Sequence, residues 1–359
     1  MLNLTGGGLS GGYRKYLQHV VPAFENSNVV RDLMVAVPPG QEKVAGNSHS
    51  VLSWQPGEQW RGFSALRKRV IAWTPDVVLI PTARYLDCGA PVVSMVRNME
   101  PMLPDSLRDG TTSWARNYLG ARLARRAVTN SQRVIAVSQF VREFLENKWN
   151  VEPNRIGVVY HGVDVAEYVA ATPASLSALT VSPFLFIAGS LLRYRGIEDA
   201  IRALSLVGNS KVILAVAGNG SERYRTTLTS LASELNVKSR VRWLGHLNEI
   251  EMRWAYQRCV AFLMTSRVEA CPNTALEAMA NGALCISTDA RPMPEFFADT
   301  AQYYRPNDAS ALAALIEDAL VCSPEMIVER RSAARARAVH FTWNDTVAET
   351  IAQLQSVLA

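Results

Sequence analysis

The chain has 359 residues, 48% hydrophobic and 19% charged, with a formal net charge of +5. This is the balance of an ordinary soluble globular protein, long enough for two domains that each bury a core. Five cysteines (Cys88, Cys259, Cys271, Cys285, Cys322) without CxxC spacing fit a reducing compartment, read as the cytosol, better than a disulfide framework. No basic, apolar and small-residue progression opens the chain. No apolar run approaches the roughly 18 to 20 residues of a membrane span, so any membrane contact is expected to be peripheral.

The positive charge is uneven: the first 170 residues carry all +5 and the remainder is neutral. Such a basic surface can face nucleic acid, an anionic membrane or a phosphorylated substrate. In chain order, "MLNLTGGGLSGGYRKYL" passes at once into a glycine-rich turn, leaving residues 1–4 for the strand that such a turn follows. The true start is therefore expected upstream. The amphipathic "YRKYLQHVVPAF" then reads as a helix. Strands are expected at 77–80, 91–96, 134–137 and 156–160, with helical stretches at 114–127 and 140–148. The Ala-, Ser-, Thr- and Pro-rich segment 163–183 is the expected hinge. Further strands are expected at 184–188, 211–217, 241–243, 261–264 and 284–287. The βαβ pattern occurs twice, so the expected fold is α/β: two Rossmann-like doubly wound domains, 1–165 and 166–342, facing across a cleft lined by the carboxyl ends of both sheets.

The stretch "SRVEACPNTALEAMANG" (266–282) sets Glu269 and Glu277 on either side of Pro272. Proline is excluded from a helix interior but suits the approach or first turn. A helix is expected to start there, run to Asn281 and stop at Gly282. Thr274 and Glu277 have the S/T-x-x-E spacing of a capping box; on that reading Glu277 is a capping partner and Glu269 a loop carboxylate without an assigned task. Context supplies the alternative. The segment follows the strand 261–264 and opens a helix whose first amides and positive dipole end can hold an anion. A carboxylate on each side of that anion can hydrogen-bond sugar hydroxyls, one on a ribose and one on a hexose, which is the geometry of a nucleotide-sugar site.

The stretch "EACPNTALEAMANGALCISTD" resembles the E-x7-E signature of the retaining glycosyltransferases of family four, the group 1 glycosyltransferases with the GT-B fold. The resemblance covers nearly the whole chain. In the family's order come "GGGLSGGYRKYL", "RVIAVSQFVREFL", "RIGVVYHGVD", "IAGSLLRYRGIEDAIRAL", "AVAGNGSE" and "VRWLGH". It implies that Glu277 binds the nucleotide ribose and that Glu269 binds a hydroxyl of the donor sugar. Ala270, Cys271, Pro272, Asn273 and Thr274 would offer backbone amides to the sugar and the distal phosphate. In "GSLLRYRG" the family usually has Arg directly after the first Gly and Lys directly before the last; here those places hold Ser190 and Arg195. Arg195 can clamp a diphosphate, bidentately where Lys could not. Arg193 either replaces the charge missing at Ser190 or belongs to the solvated surface. Gly218 and Gly220 either admit a ligand close to the backbone or only form a turn. Gly245 and His246 lie where the family lines the base pocket, partly through backbone groups. His161 stands where the family usually has Asn, and reads as a turn histidine as readily as a catalytic one. The loop with Gly8, Gly11 and Gly12 is expected under the leaving diphosphate. In "VSMVRNMEP", Arg97 occupies a strand end at which many relatives place His. It can stabilise charge on the leaving phosphate and is a poor base.

No D-x-D pair and no metal-ligand spacing occur in the chain. The expected reaction is a metal-independent transfer with no cofactor beyond the nucleoside diphosphate sugar itself, with Glu269, Arg195 and Arg97 as its catalytic residues. Retention follows from the resemblance alone, with front-face displacement and the donor phosphate as base. "SWARNYLGARLARRAVTNSQR" (113–133) sets Trp114, Tyr118, Leu119 and Leu123 beside Arg116, Arg122, Arg125, Arg126 and Arg133 at helical spacing. This reads either as a domain helix with solvated arginines or as an interfacial helix. On the second reading Arg122, Arg125 and Arg126 touch an anionic membrane from the cytoplasmic side. The acceptor would then be a lipid-linked glycan of surface polysaccharide or lipopolysaccharide synthesis. Residues 343–359 are helical by pattern, and in the family this helix crosses back onto the first domain. Nucleic acid is not an expected partner, because the arginines are not interleaved with aromatics in a recognisable binding module. Two rivals to a hexosyltransferase stay open: another nucleotide-sugar enzyme (an epimerase or a small-molecule glycosyltransferase), and a non-catalytic subunit that binds nucleotide sugar or glycan.

Overall fold

A computed structural model describes residues 1–359 apart from 3, 5–10, 38–41, 43–49, 54–58, 103–109, 165, 166 and 359. Two compact units divide the chain: Met1–Met102, Thr111–Gly162 and Thr342–Ala359 belong to the first, Val163–Phe341 to the second. The first begins with α1 (Gly11–Glu25), β1 (Met34–Val37), β2 (Ser50–Ser53), α2 (Gln59–Trp73), β3 (Val78–Ile80) and β4 (Val92–Val96). It continues with α3 (Gly110–Asn130), β5 (Arg133–Ala136), α4 (Gln139–Trp149) and β6 (Ile156–Val158). β1 pairs with β2, and β3, β4, β5 and β6 form a sheet in that order, every pairing parallel. Leu2 bridges Ala36 in parallel while its N–H donates to Leu79 O at 2.8 Å. The first residues thus stand between the two sheets. Sequence patterning missed β1 and β2. It found β3 and β4, which are buried at every position, because parallel strands covered on both faces read as unbroken apolar runs.

The second unit alternates strand and helix: β7 (Phe184–Ala188), α5 (Ile197–Leu206), β8 (Ile213–Ala217), α6 (Glu222–Glu234), β9 (Val241–Gly245), α7 (Glu249–Arg258) and β10 (Ala261–Met264). Then come α8 (Asn273–Ala280), β11 (Cys285–Thr288), α9 (Met293–Phe297), β12 (Ala301–Tyr304), α10 (Ala309–Val321) and α11 (Pro324–Ala338). Its parallel sheet has the order β12-β11-β10-β7-β8-β9. On one face Leu185, Ile187, Leu214, Val216, Leu263 and Ile286 pack in one cluster with residues of α5, α6 and α10; each such side chain stabilises by about 1.5–3 kcal/mol. On alternate positions Phe186 and Phe262 meet Tyr256 of α7 edge-on, with centroids 5.2 and 5.3 Å away.

The segment 163–183, expected as a hinge, is fastened to the second unit. Gln257 Nε2 donates to Glu167 O at 2.8 Å, Gln257 Oε1 accepts from Val169 N at 2.9 Å, and Leu176 and Leu179 are buried in a short 3-10 turn. Composition suggested a linker because these few anchors carry no periodic signal. The last helix, α12 (Trp343–Gln355), belongs to the first unit. Trp343 stacks on His19 of α1 at 4.3 Å, Thr346 Oγ1 donates to Tyr160 O at 2.8 Å, and Arg133 Nε donates to Gln353 Oε1.

Candidate functional site

In the second sheet the strand order reverses between β7 and β10. In parallel sheets a ligand lies beyond the carboxyl ends of the strands at such a switch point. The loops leaving there, 189–196 after β7 and 265–272 after β10, are tied to one another. Thr265 Oγ1 donates to Arg195 O at 2.5 Å, and Arg267 N donates to Tyr194 O at 2.8 Å. Gly196, at φ +62°, is so close to Thr265 O that a Cβ there would strike it. These ties bring Arg195 Nη1 to 2.8 Å from Glu269 Oε1, with side chains only 19% and 10% exposed. Burial works against the Arg195 charge, but Glu269, followed by Tyr194 and Tyr256, outweighs it and holds the guanidinium above its ordinary value. Among the described residues, Glu269 Oε1 accepts no aligned hydrogen bond and Arg195 Nε donates none. A carboxylate and a guanidinium with such capacity in hand suit a ligand that carries both hydroxyls and phosphate.

Glu277 stands on α8, half-buried, and its Oε2 accepts from Tyr256 Oη at 3.2 Å. Burial, reinforced by this carboxylate, holds the phenol of Tyr256 well above its ordinary value, so it remains a donor. Tyr256 thus ties Glu277 of α8 to α7. Sequence reasoning missed it, since an aromatic inside a helix looks like core. The expected capping box does not form. Pro272, which has no side-chain acceptor, takes the N-cap, the helix begins at Asn273, and Thr274 Oγ1 donates to Met264 Sδ at 3.9 Å. Ala270 and Pro272 are buried, Cys271, Asn273 and Thr274 half-buried, and the positive end of α8 lies in the loop that carries Glu269.

Gly218 and Gly220 both use their missing side chains to pack closely against the loop after β7. Gly218, at φ +132°, donates its N–H to Gly245 O at 2.6 Å, and a Cβ on it would strike Gly189 O; Gly220 is similarly close to Leu191. The chain's own backbone fills that space. His246 and Ser190 are exposed. Arg193 is exposed with its guanidinium 5.8 Å from the centroid of the Tyr224 ring.

In the first unit Arg97 follows β4, and its guanidinium lies 3.6 Å over the Tyr13 ring of α1. Burial pulls it down to about 10, with Tyr13 and Tyr16 opposing. His161 is buried, its ring 5.5 Å from that of Tyr16 and 6.4 Å from that of Trp343, a packing role. Gly8 lies outside the described residues, and Gly11 and Gly12 form the first turn of α1 instead of a loop. On α3, Tyr118, Leu119 and Leu123 are 48%, 58% and 41% exposed, next to exposed Arg122, Arg125 and Arg126. Asn117, Ala124, Ala127 and Val128 face inward. Among the described residues, no helix is long and apolar enough to cross a membrane, and no group of three or more His, Cys, Asp or Glu is placed to hold a metal ion.

Residues 17–167 match the family described as Glycosyltransferase Family 4, and residues 173–338 match Glycosyl transferases group 1. The chain belongs to the family-four, group 1 glycosyltransferases. Within this family it is similar to the O-antigen chain mannosyltransferase RfbU of Salmonella typhimurium, 22% identical over 55% of this chain and 53% of that protein. The chain therefore spans about half the length of that relative. It is also similar to the glycogen synthase of Mycobacterium tuberculosis, 26% identical over 79% of this chain and 69% of that enzyme. Among solved structures, Anabaena HepE in complex with UDP-glucose superposes with a TM-score of 0.79 at 17% identity, covering 99% of this chain and 98% of that one. The fold of this glycosyltransferase is GT-B, built from two Rossmann-like units.

Proposed function

We propose that this glycosyltransferase moves a hexose from a nucleoside diphosphate sugar to a glycan acceptor, with retention and without a metal ion. The observation that carries the reading is the Arg195–Glu269 pair at the switch point of the second unit's sheet, with Glu277 on the following helix held by Tyr256. Glu277 takes the ribose hydroxyls and Glu269 a hydroxyl of the sugar. The diphosphate charge falls to Arg195 and the amides that open α8. In the transfer step an acceptor hydroxyl oxygen bonds to the anomeric carbon on the face from which the diphosphate departs. The bond from that carbon to the phosphate oxygen breaks, and the hydroxyl proton passes to the leaving phosphate. Arg97 has an electrostatic part; at about 10 it stays protonated near neutral pH and is no base.

HepE, bound to UDP-glucose, favours a donor of that type. RfbU favours an acceptor of surface polysaccharide or lipopolysaccharide synthesis. The exposed apolar and basic face of α3 supports a lipid-linked acceptor reached by peripheral contact with an anionic membrane from the cytoplasm. The longer match to a glycogen synthase favours a second reading, a soluble glucan acceptor. Calorimetric titration of UDP, GDP and ADP, in chelator, into wild type and Glu277→Ala tests the donor site. One nucleotide is expected to bind, with affinity reduced at least about tenfold in the variant, since hydrogen bonds to a charged group contribute roughly 1.5–3 kcal/mol. No binding of any nucleotide by folded wild type would overturn the reading.

A further inference from the structure

We propose that Arg267 is a positioning residue that sets the spacing between Arg195 and Glu269. The inference rests on the reading of those two as donor-binding groups. Arg267 lies two residues before Glu269, and its side chain turns back toward the start of α5 and the loop after β12. Its Nη2 donates to Asp199 Oδ1 at 3.2 Å and to Asn307 Oδ1 at 2.7 Å. Asp199 has a fully buried side chain, and its Oδ2 accepts from Asn307 N at 2.9 Å. Asn307 itself is held at φ +71°, a left-handed conformation that Asn tolerates better than most side chains. Arg267 N is bound to Tyr194 O at 2.8 Å, and its Nη1 reaches Arg193 O at 3.5 Å.

One side chain thus joins three chain segments: the phosphate-side loop 189–196, the sugar-side loop 265–272 and the turn at Asn307. Arg195 belongs to the first of these and Glu269 to the second, their side chains 2.8 Å apart. The bond to Asp199 is more than charge neutralisation, because the planar guanidinium serves a carboxylate, an amide oxygen and a main-chain carbonyl at fixed angles. A lysine ammonium keeps the charge and loses that fork. Displacement of a reacting group by about 1 Å can lower turnover on the order of 100-fold, so the fork should act on turnover more than on nucleotide affinity.

The test compares wild type, Arg267→Lys and Asn307→Ala. Nucleotide affinity is read by calorimetry with UDP, GDP and ADP, donor turnover by hydrolysis of UDP-glucose, GDP-mannose and ADP-glucose, and folding by thermal melts. Arg267→Lys is expected to melt close to wild type, to keep its nucleotide affinity within about threefold and to lose roughly 10- to 100-fold in kcat. Asn307→Ala, which leaves the buried Asp199 paired with Arg267, should lose less kcat and keep the same affinity. Wild-type turnover in Asn307→Ala or in folded Arg267→Lys would overturn the proposal, as would a loss of nucleotide affinity proportionate to the loss of kcat. Failure of wild type to bind any of the three nucleotides would strike the donor reading itself, and the proposal with it. Wild-type binding with turnover indifferent to Arg267 strikes the proposal alone.

Discussion

Arg195 in the second unit and Arg97 in the first both sit just beyond the carboxyl end of a parallel strand, in surroundings that differ in kind. Arg195 lies 2.8 Å from a carboxylate and is held above its ordinary value despite burial. Arg97 lies 3.6 Å over an aromatic ring and is pulled down to about 10 by burial. Both are protonated at neutral pH. Glu269 largely offsets the field of Arg195, whereas the aromatic face under Arg97 fixes its direction while leaving its charge in place. The same contrast runs through the composition, with +5 in the first 170 residues and neutrality in the rest. A neutral unit does not gather a diphosphate by net charge. On the proposed donor reading it does so by exchanging one partner of a paired guanidinium for another, while a basic unit attracts anions at a distance.

The contrast breaks most deeply at Arg195. Arg195→Ala should lower donor turnover by about 10²- to 10³-fold in steady-state kinetics, the usual cost of removing one preorganised donor to developing charge. A loss below tenfold would mean that the pairing with Glu269 is structural. The long-range part of the comparison is sharpened on α3. Joint replacement of Arg122, Arg125 and Arg126 by Glu should weaken sedimentation with phosphatidylglycerol vesicles by about 100-fold or more, at about 1 kcal/mol per basic residue, and leave neutral vesicles unaffected. Unchanged binding would end the membrane reading. The smallest effect is expected at Arg97→Met, which trades a cation–π contact for relief from burying charge. Denaturant melts should shift by no more than about 2 kcal/mol. A larger loss would mean that the contact with Tyr13 anchors α1 to the end of β4.

Much of the second unit was legible from the sequence, because a sheet buried on both faces writes its strands as apolar runs. Residues 184–188 and 261–264 were read at the bounds of β7 and β10, and the two loops that leave these strands carry Arg195 and Glu269. The spacing of Glu269 and Glu277 was legible too, but the meaning of the Thr274–Glu277 spacing was not. With Pro272 as the N-cap the helix starts two residues before the capping register, so Thr274 and Glu277 both lie inside it. Tyr256 and the Arg267–Asp199–Asn307 bonds escaped notice for a different reason. They join positions 21 to 108 residues apart, and only the sheet order brings such positions together. β12, with half-buried residues and no apolar run, left no signal for patterning to find.

The assignment of α12 to the first unit has a consequence for synthesis. The chain leaves the first unit after Gly162 and returns at Thr342, so the second unit is written inside the first. On a ribosome, where segments usually fold in the order in which they emerge, that order is inverted here. A nascent chain that has reached residue 341 holds every strand and helix of the second unit, while the first still lacks the helix that stacks Trp343 on His19. The half of the protein translated first is the half completed last.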